Sequence, residues 1–200
     1  MKEKELKEFI EYKKKYKFNQ LEVIEEDGNL YCKGILLKDK NGYVGETDEW
    51  INVGYSLHGM YPKLLSNLFP YSFTFKGHKL SSIECFFQGI KFKDKNLQKK
   101  LFKYSGKEAL VLQKANDYNW KETGIVYWQG KPIKRDSIEY DQLIDELYIS
   151  AIQNEFYRNA IKNCKLPIIH AMGAKEKRDT VFTRNEFEFM LNCLHDFLNR

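Results

Sequence analysis

Glu84, Gln88 and Lys91 fall at i, i+4 and i+7 within Ser82-Ile83-Glu84-Cys85-Phe86-Phe87-Gln88-Gly89-Ile90-Lys91-Phe92. On a helix this spacing puts an acid, an amide and an amine on one stripe, beside an apolar face of Ile83, Phe87 and Ile90. Facing a pocket, such a stripe supplies the groups needed to cleave a nucleotide. Spacing alone favours a plainer reading. Ser81 with Glu84 is a capping-box pair and Glu84 with Gln88 a common surface pair, so the stripe would simply be solvated.

The elements that must position this stripe are legible as patterns. A helix is expected over 82–93, preceded by a short strand at 71–75 and a turn at Lys76-Gly77-His78, and followed by helices over 96–104 and 106–115. Residues 59–70 are irregular but heavily apolar, which places them against the core or along a cleft. Ile125-Val126-Tyr127-Trp128 reads as a strand ending in the turn Gln129-Gly130-Lys131-Pro132. Asp136-Ser137-Ile138-Glu139 reads as a capping box opening a helix whose Ile144, Leu147, Tyr148, Ala151 and Ile152 share a face, with a break near Asn154 and a further helix through Ile161. Leu166-Pro167-Ile168-Ile169-His170 reads as a buried strand, and Thr183-Arg184-Asn185-Glu186 as the capping box of a C-terminal helix.

Upstream, a Lys/Glu-rich helix to about Tyr16 carries the stripe Leu6, Phe9 and Ile10. Strands over 21–24 and 30–37 flank Asp27-Gly28, a tight-turn pair. These readings give a single, compact, helix-rich α+β domain over 61–200 with short strands, and an N-terminal helix and hairpin extension over 1–60 packed on it.

Composition narrows the function classes. Among 200 residues, 42% are hydrophobic and 15% aromatic, enough for a real core. No apolar run approaches a membrane span, and the first residues carry no apolar leader, so the expectation is a cytoplasmic protein with no membrane partner. Cys32, Cys85, Cys164 and Cys193 are far apart, with no CxxC pair, which argues for reduced thiols. His58, His78 and His195 have no ligand spacing with His170 or the cysteines, so no metal is expected. Neither a Walker loop nor GxGxxG is present, and no cofactor is expected. Of 33 basic residues only Arg135, Arg158, Arg178, Arg184 and Arg200 are arginine, which weakens a base-reading surface but permits an anionic substrate.

Leu65-Ser66-Asn67-Leu68-Phe69, then 73–77, then Ser82-x-Glu84-x-x-Phe87-Gln88-x-x-Lys91-Phe92 resemble the signature of the NADAR family of YbiA-like N-glycosidases. The resemblance extends more loosely through Tyr127-Trp128, the helix from Ser137, Asn154-Glu155-Phe156 and the strand before His170, covering about 66–198. It departs at the C-terminal side, where the family's L-V-E, D-x-x-W-G and G-x-N-x-L-G segments are replaced by Ile168 to Gly173 and Thr180 to Phe187. His170 and the loop from Gly173 to Thr183 are expected to do part of that missing wall's work.

The resemblance implies hydrolysis of a ribose C1′–N bond, in riboflavin-pathway intermediates or in ADP-ribose attached to guanine. The substrate would be an ADP-ribosyl or phosphoribosyl nucleotide, with ADP-ribosylated DNA as a further partner; the oligomeric state is open. Such a reaction passes through an oxocarbenium-like state and needs nearby negative charge, a proton for the leaving nitrogen and a positioned nucleophile.

The expected catalytic residues are Glu84 and Lys91. Glu84 in the first helical turn is expected to be ionised and to stabilise the cation or activate water, unless a deeply apolar pocket raises its pKa. Lys91 has three open roles: protonating the leaving group, binding phosphate, or forming a Schiff base. For substrate binding the candidates are Ser66 and Asn67 at a turn, Gln88 on the ribose hydroxyls, Phe69 and Trp128 as stacking surfaces, and His170 at a strand end. Two alternatives of other classes are a non-catalytic ADP-ribose or nucleotide-binding module, and a plain nucleic-acid binder.

Overall fold

The computed structural model describes residues 2–114 and 119–200; the end of the helix expected to reach Ala115 lies outside them. The fold is α+β. It opens with α1 (Lys2–Lys13), then four strands, β1 (Val23–Glu26), β2 (Asn29–Cys32), β3 (Ile35–Asp39) and β4 (Gly42–Tyr43), that pair antiparallel in chain order. The single strand expected over 30–37 is two. Lys33 and Gly34 both take positive φ, 52° and 74°, which is the tight-turn geometry that folds the run back on itself.

Next come β5 (Ile51–Asn52) and α2 (Met60–Leu64), a short helix inside the stretch expected to be irregular. β6 (Phe73–Phe75) and β7 (His78–Leu80) form a hairpin leading into α3 (Ile83–Gly89), α4 (Lys95–Leu101), α5 (Gly106–Lys114) and α6 (Trp120–Thr123). β8 (Ile125–Trp128) pairs with β9 (Lys131–Lys134), a strand that the expected turn at 129–132 concealed; the chain reverses at Gln129 and Gly130, both at positive φ. The chain finishes with α7 (Ile138–Ala151), α8 (Glu155–Asn163), β10 (Ile168–Ile169) and α9 (Arg184–Asn199).

α7 is the central helix, with Tyr140, Leu143, Ile144, Leu147, Tyr148, Ile149 and Ala151 all buried. α1, β6, β9 and α3 pack around it. Its cap is Ser137, whose hydroxyl accepts from the Tyr140 amide; Glu139 pairs instead with Lys131, so the expected Asp136–Glu139 box does not form. At α9 the capping box expected from Thr183 and Glu186 is complete in both directions.

The N-terminal sixty residues are tied into this core. Phe9 of α1 is fully buried against Phe197, and Lys13 pairs with the buried Asp145 of α7. β5 pairs parallel with β10, Ile168 beside Ile51 and Ile169 beside Asn52. A parallel pair brings together segments more than a hundred residues apart and sets where the chain leaves β10, at His170.

α3 is shorter than expected. The expected Ser81–Glu84 capping pair does not form: Ser82 caps the helix by accepting from the Cys85 amide, while the Ser81 hydroxyl donates to the Lys103 carbonyl. The helix ends at Gly89, which sits so close to Phe102 that a Cβ there would lie 2.5 Å from the ring. Lys91 therefore lies in the turn beyond the helix, held by the Phe92 amide donating to the Gly89 carbonyl and by the Tyr127 amide donating to the Ile90 carbonyl. Cys32, Cys85, Cys164 and Cys193 are buried free thiols. Among the described residues no helix is long and apolar enough to cross a membrane.

Candidate active site

A cavity of about 150 Å³ opens between α3 and the segment running from β10 to α9. On one side are Glu84, Phe87, Gln88 and Lys91, with Asn67 beside them; on the other are His170, Gly173, Ala174 and Thr180 to Phe182, closed by Phe187. Five of the expected site residues meet here: Asn67, Glu84, Gln88, Lys91 and His170.

The stripe on α3 is a connected chain. Gln88 is 4% exposed. Its amide nitrogen donates to Glu84 Oε1, and its amide oxygen accepts from Lys91 Nζ at 2.5 Å. An amide is suited to this place because it offers a donor to the carboxylate and an acceptor to the ammonium at once. The solvated reading of the stripe is thereby excluded.

Burial sets the charges. Glu84 keeps some accessible surface because it faces the cavity, yet it lies deep in the protein, and desolvation raises its pKa above the ordinary carboxylate range despite the Gln88 hydrogen bond and the Lys91 charge. This is the exception allowed for in the sequence, a deep pocket that raises the pKa of a carboxylate in the first helical turn. The helix amide of Glu84 is committed to the Asn67 carbonyl at 2.8 Å, and desolvation is the largest influence on its carboxylate. The same burial, opposed by Glu84 and assisted by Lys121, brings Lys91 down to about 8. Lys91 also sits over the Trp120 ring, 5.9 Å from its centroid.

Asn67 is held by a residue the sequence presented only as an apolar-face position. The Tyr148 hydroxyl, kept protonated by burial on α7, donates to Asn67 Oδ1 at 2.9 Å. The Asn67 amide nitrogen is left as the donor for a ligand.

His170 is held on two sides. Its Nδ1 lies 2.8 Å from the Val53 carbonyl, which requires that nitrogen to carry the proton and leaves Nε2 as an acceptor. Its backbone amide donates to Glu188 Oε1 at 2.7 Å. Burial lowers the imidazole pKa, so the ring is neutral. Glu188 is fully buried and pairs with the buried Arg184 at 2.7 Å, one turn away on α9, while the Arg184 amide donates to the Ala174 carbonyl. Sequence reading missed this pair, whose signal was two opposite charges at i, i+4 on an otherwise apolar helix face.

The wall from Thr180 to Phe182 is fixed from behind. Phe182 stacks on Phe87 at 4.9 Å, and the Tyr140 hydroxyl donates to the Val181 carbonyl. The loop after β10 thus forms the cavity wall opposite α3.

The remaining candidates lie elsewhere. Ser66 is buried and its hydroxyl accepts from the Leu68 amide, shaping the turn. Phe69 packs between Tyr55 and Tyr71. Trp128 packs among Phe75, His78, Phe86 and Phe102. None of the three lines the cavity, because these aromatics are spent on the core. Among the described residues no cluster of His, Cys, Asp and Glu is arranged to hold a metal.

A family model described as bacteriophage protein GP30.3 matches residues 60–196. The chain belongs to the GP30.3 family. Every residue lining the cavity falls inside the GP30.3 match, whereas Val53, which holds His170, falls outside it. A relative in Enterobacteria phage T4, the uncharacterized 17.1 kDa protein in the Gp30-rIII intergenic region, is 33% identical over 138 residues, 67% of this chain and 90% of that protein. Among solved structures, the NMR structure of the E. coli protein YbiA is similar with a TM-score of 0.47 and 13% identity, over 76% of this chain and 86% of that one. That overlay is too loose to carry an argument.

Proposed function

We propose that this GP30.3-family protein is an N-glycosidase that hydrolyses the ribose C1′–N bond of an ADP-ribosyl or phosphoribosyl amine. The observation that carries the reading is the buried Glu84–Gln88–Lys91 chain opening on one cavity. The NADAR-like spacing of the same residues supports it.

In the reaction, water oxygen bonds to C1′ as the C1′–N bond breaks. Glu84 takes the water proton, and Lys91 gives a proton to the leaving nitrogen. A carboxylate whose pKa is raised is a stronger base, and an ammonium brought down to about 8 is a stronger acid, so both shifts favour these roles near neutrality. The desolvated carboxylate also gains most when the sugar becomes cationic, which stabilises the transition state more than the ground state. Gln88 keeps the two groups in register. Asn67 Nδ2 donates to a ribose hydroxyl, and neutral His170 accepts from one through Nε2.

A cavity of about 150 Å³ encloses the reacting ribose and leaves the rest of the nucleotide outside; drug-sized ligands fill roughly 300–1,000 Å³. Free phosphoribosyl amines and ADP-ribosylated guanine in DNA are the two substrate classes to compare. Incubation with each, followed by chromatography of the released base or sugar phosphate, is the test. Turnover abolished by Glu84→Gln with substrate still bound supports the reading; binding of ADP-ribose with no turnover in the wild type overturns it in favour of a non-catalytic module.

A further inference from the structure

A second cavity of about 520 Å³ lies at the β6–β7 hairpin and the end of α4 and shares no lining residue with the Glu84 site. Its walls are His78, Lys79, Ser81, Lys99, Phe102 and Lys103, with no acidic residue among those that line it. Three lysines therefore converge on one hollow. None of them pairs with a carboxylate among the described residues, although Lys76, one residue before the cleft-lining Gly77, is neutralised by Glu146.

Unpaired lysines on an open surface repel one another weakly and need no explanation. Here they surround a concave site with the partly exposed His78 ring in its wall, backed by the buried Phe102. Phe102 stacks with Trp128 at 5.7 Å, and the His78 ring stands edge-on to both, 5.9 Å and 5.5 Å away. Lysine is a point-charge partner for phosphate, and the partly exposed His78 ring beside it suits a base or sugar face. The volume exceeds what a bare phosphate needs and falls in the range of nucleotide-sized ligands.

We propose that this cleft binds a phosphate-bearing nucleotide unit, independently of the Glu84 cavity. The unit is either a free mononucleotide or one residue of a nucleic-acid strand. The sequence hid the site because its lysines and rings are scattered over 78–128, and only the hairpin packing against the end of α4 gathers them.

The test is fluorescence anisotropy of a labelled single-stranded oligonucleotide at low salt, with AMP and inorganic phosphate as competitors. The proteins are the full chain, K99E/K103E, K79Q/K103Q, and K38E/K40E on the β3–β4 hairpin as a charge-matched control. The expected result is a loss of about tenfold or more in K99E/K103E, none in the control, and a salt slope that drops by about 0.7 per cleft lysine removed. Competition by AMP assigns a mononucleotide site; binding of the strand without AMP competition assigns a strand site. Equal losses in K38E/K40E, or no binding of either ligand, overturn the proposal. Glu84→Gln leaves this binding unchanged, so failure here and failure of the glycosidase reading are separable.

Discussion

The amide oxygen of Gln88 accepts a 2.5 Å hydrogen bond from the Lys91 ammonium. The opposite end of the same amide donates to Glu84, so Gln88 links the carboxylate and the ammonium in fixed directions. Gln88→Leu keeps the side chain buried but leaves a carboxylate and an ammonium without their shared partner. The expected outcome is a fall of at least about tenfold in kcat/KM with a smaller change in KM, measured by steady-state kinetics on whichever substrate turns over.

Activity should be bell-shaped in pH. Glu84 must be ionised to act as base, so its raised pKa moves the rising limb above the ordinary carboxylate range; Lys91 must be protonated to act as acid, so activity falls through about 8. The two groups interact, so the limbs describe the pair. A profile of kcat/KM that stays flat to pH 9.5 would remove Lys91 as the acid.

The same shifts set stability against activity. Glu84 has a folded pKa above its unfolded one, so its stabilising contribution is full below the unfolded value and is lost as pH rises through the folded value. Lys91 has a folded pKa below its unfolded one, so its contribution is present above the unfolded value and is lost as pH falls through about 8. In their ionised forms both groups cost the fold stability. Replacing both, E84Q with K91M, should therefore stabilise by about 1–3 kcal/mol in urea denaturation while abolishing turnover. K91M alone should be the less stable of the two variants, because Glu84 then loses its neighbouring cation.

Gly173 lets the imidazole sit where it does. A Cβ there would meet His170 Cδ2 at 2.5 Å and Nε2 at 3.0 Å. The ring has little room to give, since Nδ1 is tied to the Val53 carbonyl and its centroid lies 4.7 Å from that of the tilted Phe187 ring. Gly173→Ala should cost about 1–3 kcal/mol and reduce activity by displacing the ring. Thermal melts and kinetics of the same preparation check both.

Glu188 is the counter-charge for a buried guanidinium. Glu188→Ala leaves Arg184 unpaired and removes the acceptor of the His170 amide. The expected loss is about 3–5 kcal/mol, read by denaturant unfolding. Trp128→Phe, in contrast, should lower the melting temperature while leaving KM unchanged, because Trp128 packs among core rings outside the cavity.

Glu84, Gln88 and Lys91 were legible because one helical turn and its exit place them, and that geometry follows from residues within ten positions of each other. Asn67 was legible as a turn residue, but Tyr148, which orients it, comes from a helix 81 positions later. Phe69 and Trp128 carried the right chemistry for stacking and went to the core instead. Side-chain type does not say which aromatic a cavity leaves uncovered.

By itself, the sequence determined the local devices: the Thr183 cap, the hairpin at Asp27-Gly28, and the acid–amide–amine order along α3 and its exit. Each depends on backbone geometry over a few residues. Tertiary structure alone decided that the stripe is buried, that desolvation raises the Glu84 pKa, and that the parallel pairing of β5 with β10 aims His170 at the same cavity. Those outcomes depend on the removal of water by segments remote in the chain, and no local pattern carries that information.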